Sequence, residues 1–523
     1  MTDQLDYIIV GAGPAGLQLG YYFERNERSY KILEAADKAG AFFETYPRHG
    51  MLISINKVYT GYDDDEINMR WDWNSLLRDD HAVLFKDYSR EYFPPAEALV
   101  RYLGDYAERA DLDIQYDTRV ETIERTGDGF ELTDDSGRAH RCRRLIMATG
   151  VPKPYIPPIE GIELGEPYTT VSVDPEDFAN QRVLILGKSN SAFETADNLV
   201  ATTALIHVAS PNPVQMAWKT HFVGHLRAVN NNFLDTYQLK SQNAVLDGTI
   251  QRLVRRDDGA IDVEIAYSHA QDETETLTYD RVILCTGFRF DASCFVSGSE
   301  PALCIDDRFP DQTCEWESVN VPDLYFAGTV MQMRDFKKST SGFIHGFRYN
   351  VRSLERMLGV KYHGEEWPHE TLTDDDEALL AKLLERINST SGLWQLFGFL
   401  SDLFVVHEED GEIRHYQELP MSYIADKGFA GDRDSFRLSL EFGPSVEDPF
   451  NIQRQPDPTH AQQSTFLHPV IRHYRGDDLV DEIHLLENLF GEWKDPKLHE
   501  APLRSFLTAA LAPEDRVAVA RGG

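Results

Sequence analysis

Short, unbroken apolar runs mark the chain at DYIIV (6–10), YKILEA (30–35), RVLILG (182–187) and ALIHVAS (204–210). Runs of this length suit strands buried on both faces. Within each pair lies a segment with helical spacing, LQLGYYFERN (17–26) and SNSAFETADNLVA (189–201). The same β-α-β pattern therefore occurs twice. Three more apolar runs lead into a glycine: RCRRLIMATG (141–150), DRVILCTGFRFD (280–291) and PDLYFAGT (322–329). Beyond residue 356 the pattern changes. DDDEALLAKLLERI (374–387) predicts a helix. GLWQLFGFLSDLFVV (392–406) also reads as a core-packed helix, too short to cross a membrane and interrupted by Asp402.

The turns inside the two units carry chemistry. The first holds Gly11, Gly13 and Gly16, with Pro14 and Ala15 opening the helix. Gly11 permits the tight turn, Gly13 lets a pyrophosphate approach the backbone, and Gly16 lets the helix pack on the strand. Glu34 ends the second strand, 18 residues after Gly16, where an acid can bind a ribose hydroxyl. The second turn repeats the grammar with Gly187, Ser189 and Ala192. Asn190 and Ser191 can donate hydrogen bonds to phosphate oxygens. Glu194 lies one turn further on, and Thr149, Gly150, Thr286, Gly287 and Gly328 end the other strands.

Two such units predict an α/β chain with two doubly wound, Rossmann-like dinucleotide-binding domains. The first is split, 1–150 and 290–355, and the second, 151–289, is inserted in it. Residues 356–523 form a C-terminal mixed region whose fold the pattern does not assign. Two loops imply two nucleotides: FAD on the first domain and a nicotinamide cofactor on the second. The strand ending at Ala209–Ser210 has no acid to repel a 2′-phosphate, and Lys219, His221 and Arg227 follow it. That favours NADPH.

Composition narrows the partners. The chain of 523 residues is 42% hydrophobic and 26% charged, with a formal net charge of −36. Such a surface repels nucleic acid and anionic membranes. The five cysteines, Cys142, Cys285, Cys294, Cys304 and Cys314, form no C-x-x-C, so neither a metal site nor a dithiol centre is expected. The N-terminal stretch MTDQLDYIIV has no secretory pattern, and the expected location is cytoplasmic. A small-molecule substrate and oxygen are the expected partners, and a homo-oligomer stays open.

Several segments add a resemblance: YPRHGMLISINKVYTG (46–61), WDWNSLL (71–77), GKSNSAFETADN (187–198), THFVGHLRAVNNNFLDTYQLKS (220–241), SGFIHGFRYN (341–350) and LHPVIRHYRGDDLVDEIHLLE (467–487). With them the chain resembles two-dinucleotide flavoproteins of the flavin-containing-monooxygenase kind. In particular it resembles the family of the FAD-dependent oxidoreductase-domain-containing protein of the endoplasmic reticulum and its bacterial relatives. The F-x-G-x-x-x-H-x-x-x-Tyr/Trp signature of such monooxygenases is missing before the second loop, and Tyr168 stands in its place.

The resemblance implies that NADPH reduces FAD, that oxygen adds at the flavin C4a carbon, and that the hydroperoxide hydroxylates a small nucleophile, an amine or amino-acid nitrogen. It casts Asn56 as the donor that holds the peroxide. Lys57 is read as a contact for an anionic group, and Arg48 as one for the FAD pyrophosphate. Trp71 and Trp73 read as packing residues. Two other functions compete: a reductase passing electrons to a quinone or disulfide, and a non-enzymatic flavoprotein that binds a protein partner.

Overall fold

The computed structural model describes residues 4–238, 242–271, 273–444, 448, 450 and 452–511. Its first sheet is parallel in the middle. Ile114–Gln115, Tyr30–Leu33, Leu5–Val10 and Ala139–Met147 lie side by side in that order. The Ala139–Met147 strand then divides its outer edge. Its start pairs antiparallel with Gly129–Asp134, and its end pairs parallel with Leu324–Phe326. The chain thus returns to this sheet after the second sheet is complete.

The second sheet repeats the plan. Ala244–Arg255, Leu205–Ser210, Arg182–Leu186, Arg281–Leu284 and Glu166–Pro167 are parallel neighbours. Ile261–Tyr267 and Thr274–Tyr279 extend it antiparallel. Each parallel core therefore carries an antiparallel extension, which the strand–helix alternation did not announce.

Residues 369–484 supply a third sheet, six-stranded and wholly antiparallel. Within it Leu400–His407 is a strand with every residue buried, so the helix expected over 392–406 is corrected to the short helix Gly392–Gln395 and this strand. A strand covered on both faces shows no alternation, and its apolar run is indistinguishable from a buried helix. The helix expected at 374–387 forms as Asp376–Ser389, capped by the Asp375 carboxylate on the Ala378 N–H.

The third unit shares one hydrophobic core with the first domain. Buried arginines seal the seam. Arg348 donates to the carbonyls of Met69, Asp72 and Ser75. Arg70 donates to those of Ile387, Thr390 and Gly491. Each guanidinium satisfies carbonyls that irregular backbone would otherwise bury unpaired.

Candidate functional site

In the first loop Gly11 adopts φ +109°, which a side chain would strain. A Cβ at Gly16 would lie 2.0 Å from the Gly11 carbonyl oxygen, so the helix Pro14–Arg25 packs directly on the turn. Gly13 caps that helix, and a Cβ there would meet no atom within 4 Å. The free space lies at the helix N-terminus, where unpaired N–H groups favour an anion. Pro14 takes the first helical position and Ala15 is buried beside it. Glu34 accepts from the N–H groups of Ala12 at 2.7 Å and Ala36 at 2.9 Å, which fixes the carboxylate at the rim of the turn.

Gly328, at φ +87°, comes so near the first helix that a Cβ would meet the Ala15 methyl at 2.8 Å. Gly150, at φ +65°, follows Thr149 at the end of its strand and faces open space. A second helix, Ile344–His363, runs parallel to Pro14–Arg25: Gln18 donates to the Arg348 carbonyl and Asn26 to the Glu355 carboxylate. The two helices therefore bring their N-termini to the same mouth. This cradle fits an extended dinucleotide with two anionic phosphates.

The second loop also begins with a strained glycine. A Cβ at Gly187, φ +126°, would meet the Cys285 carbonyl oxygen at 2.1 Å. Here the resemblance between the loops ends. Ser189 Oγ donates to the Gly224 carbonyl, and Asn190 Nδ2 donates to the His225 carbonyl at 2.8 Å. Asn190 Oδ1 accepts from the Arg227 N–H at 2.9 Å. Ser189 and Asn190 thus bind a crossing protein segment. Ser191 lies with Cys285, Thr286, Gly287 and Tyr168 around a small cavity, and Thr286 Oγ1 donates to the Tyr155 carbonyl.

Glu194 faces the junction between the two nucleotide domains. It accepts from the Tyr168 hydroxyl at 3.4 Å and from the His49 N–H. Burial pushes its carboxyl up to about 7. Burial, helped by the Arg48 charge, pushes the His49 imidazole down to about 4.

Arg48 donates to the Val171 carbonyl at 2.6 Å, so it bridges to the second domain. Arg227 donates to the Ile53 carbonyl at 2.8 Å and lies 5.2 Å from the Trp73 ring centre. Asn56 is buried, and its amide donates to the carbonyls of Ser89 at 2.7 Å and Glu91 at 3.2 Å. Both of its donors are engaged in clamping a loop, which leaves none for a flavin-facing bond. Lys57 and Lys219 are exposed.

The sequence reading missed His345. Its imidazole is fully buried, with Nδ1 and Nε2 both unpartnered. Trp73 stacks on it at 4.1 Å and 19°, and Phe343 flanks it at 5.9 Å. Burial holds its pKa well below the ordinary histidine value. The available signal was its place in the first turn of a helix beside Gly346, where a Cβ would lie 2.0 Å from the Thr340 carbonyl oxygen.

The two glycine-turn cradles are those of a two-dinucleotide flavoprotein. The chain belongs to the pyridine nucleotide-disulphide oxidoreductase family, whose model matches residues 8–328. Within that class it belongs with FAD-dependent oxidoreductase domain-containing protein 2. The mouse protein is 37% identical over 97% of this chain and 84% of its own length. Two solved structures share the fold of 69% of the chain. They are a flavin-containing monooxygenase from Stenotrophomonas maltophilia, TM-score 0.52 and 19% identity over 99% of that chain, and a bacillithiol disulfide reductase from Staphylococcus aureus, TM-score 0.53 and 18% identity over 100% of it. The chain is a flavin- and NAD(P)H-dependent oxidoreductase, with FAD and NADPH as its cofactors. Among the described residues no helix is long and apolar enough to cross a membrane.

Proposed function

We propose that the chain is an NADPH-dependent monooxygenase that delivers electrons to oxygen and hydroxylates a small nucleophile, an amine or amino-acid nitrogen. The cysteines carry this reading. A disulfide reductase needs a thiolate, and burial pushes all five thiols up: Cys142 and Cys285 to about 12, and Cys294, Cys304 and Cys314 to about 11. Each is free, and none stands beside another as a dithiol. The free thiols also support a cytoplasmic location.

FAD, when bound, accepts hydride from NADPH and passes electrons on. The chain's own residues prepare the place. Gly13 and Gly16 seat the phosphates, and Glu34 holds the ribose end. Trp73 and Phe343, with the Phe222 ring 5.9 Å from that of Phe343, exclude water. His345 takes the role first read onto Asn56: a neutral imidazole that offers one donor and one acceptor in a dry setting. The negative surface draws protonated amines towards the cleft.

The test is NADPH oxidation and oxygen uptake across a panel of amines, amino acids and thioethers, with product and hydrogen peroxide both measured. A substrate that raises oxygen uptake and yields an oxygenated product is the expected outcome. Turnover with a quinone in the absence of oxygen, with no oxygenated product from any panel member, would replace this reading with a reductase. In His345→Leu the flavin should still be reduced by NADPH while oxygen uptake shifts from product to hydrogen peroxide.

A further inference from the structure

Arg308 and Arg289 lie at the Gly287 turn, and Lys337 shares the Phe336 ring with Arg308, all without an acidic partner in a chain whose net charge is −36. Arg308 lies on the hairpin of Leu303–Cys304 and Phe309–Pro310. Its guanidinium sits 5.5 Å from the Phe309 ring centre and 5.4 Å from that of Phe336. Its Nε is buried with no hydrogen-bond partner. Arg289 lies 3.9 Å over the Tyr155 ring, and the Lys337 ammonium 5.3 Å from that of Phe336. Asp306 and Asp307 directly precede Arg308, yet among the described residues no carboxylate pairs with any of the three.

This arrangement is costly as it stands. Burial and the nearby Arg289 charge both hold the Arg308 pKa below its usual value. Two guanidinium groups brought together in a half-buried setting repel, and an anion between them reverses the sign. A surface this acidic could have supplied a carboxylate.

Their location names the anion. A Cβ at Gly287 would come within 3.9 Å of Arg308 Nη2. Gly287 follows the Arg281–Leu284 strand, which neighbours Arg182–Leu186 on the side away from Leu205–Ser210. This is the crevice where the strand order of the second sheet reverses, and where a dinucleotide passes from its adenosine half to its nicotinamide half. Lys337 is close enough to lower the pKa of His225, whose carbonyl is held by Asn190 at the start of the second helix.

We propose that Arg308 and Lys337, with Arg289, clamp the pyrophosphate of the nicotinamide cofactor from across the cleft. The phosphates would then meet the second helix on one side and these cations on the other. Arg308 and Lys337 follow the inserted second sheet in the chain, so the grip would also draw the two nucleotide domains together.

The test uses the full-length, FAD-loaded protein and calorimetric titration with NADP+ and NAD+. In Arg308→Gln, and separately in the exposed Lys337→Gln, Kd should rise about 10-fold, the loss expected for one charge-assisted contact. The factor should be the same for both cofactors, because both carry the pyrophosphate, and the FAD content should stay at the wild-type level. If Arg308→Gln does not fold, Lys337→Gln decides alone. A Kd within twofold of wild type in the folded variants overturns the clamp. A loss confined to NADP+ also overturns it, since the cations would then read the 2′-phosphate. Neither result depends on what the reduced flavin does with oxygen.

Discussion

The two nucleotide loops align residue for residue and are held by different means. Gly11, Gly16 and Gln18 stand where the second loop has Gly187, Ala192 and Glu194. The first helix start is bare backbone with open space before it, while the second is crossed by the segment from Gly224 to Arg227. One turn in, Gln18 is a neutral, fully buried amide that donates to the Arg348 carbonyl and accepts from the Leu77 N–H. Glu194 is an ionisable acid with a raised pKa. The first cradle is thus set by sterics and satisfied amides. The second depends on polar side chains.

The sharpest way to break this contrast is to exchange the third loop residues. Gly16→Ala puts a methyl 2.0 Å from the Gly11 carbonyl oxygen, a backbone atom that cannot step aside. Overpacking of this kind should destabilise the first nucleotide domain by about 3 kcal/mol. The reciprocal Ala192→Gly should cost about 1 kcal/mol, the ordinary helix penalty. Thermal unfolding of the two variants reports both. Equal, small losses would mean the two turns pack alike.

Gly13→Val separates folding from binding. The new side chain meets no protein atom within 4 Å of its Cβ and sits on extended backbone, φ −79° and ψ −178°. The melting temperature of the flavin-free protein should therefore hold, while flavin absorbance per chain falls at least about 10-fold, since the side chain enters the pyrophosphate's space. Full flavin content in this variant would remove FAD from the first loop.

The sequence already showed the strand–turn–helix grammar because its signals are local: apolar runs, glycines at fixed spacing, an acid at the end of the second strand. What it concealed is long-range. Nothing local shows that the fold brings Asn190 to the Arg227 N–H and Arg227 to the Ile53 carbonyl. Asn56 looked like a free donor, and the carbonyls that take both its N–H groups come from residues 89 and 91. His345 was hidden for the opposite reason. Its neighbours Trp73 and Phe343 are apolar, and no spacing rule places an orphan imidazole between them.

A smaller effect follows from the Gln18–Glu194 difference. Glu194 has a folded pKa of about 7, above the ordinary glutamate value of 4.5. The folded state therefore binds its proton more tightly than the unfolded state does. Its contribution is fully present below pH 4.5 and is lost as pH rises through 7, on the order of 3 kcal/mol across that window. Glu194→Gln, which copies the first loop, should flatten this part of the stability profile and gain on wild type as pH increases from 5 to 8. Parallel profiles for the two proteins would show that Glu194 titrates normally.

The smallest expected effect isolates the crossing segment itself. Pro14 occupies the position of Asn190 in the first loop and offers the backbone nothing to bind. Asn190 holds three groups of the segment: the His225 carbonyl, the Arg227 N–H and, at 3.2 Å, the Asn230 amide. Asn190→Ala removes all three and should loosen residues 224–230 by about 1–2 kcal/mol, because the Arg227 N–H loses its acceptor. Amide hydrogen exchange at Arg227 should then quicken about 10-fold, while exchange around Gly11–Gly16 stays at the wild-type rate and FAD remains bound. Asn190→Asp keeps the acceptor for Arg227 and loses only the donor to His225, so it should exchange at an intermediate rate. Its added negative charge at the helix start should also weaken NADP+ while sparing FAD. If Arg227 exchanges in Asn190→Ala as slowly as in wild type, the segment is held by the Arg227 bond to Ile53 and the surrounding packing. The difference between the two loops would then reduce to their glycines.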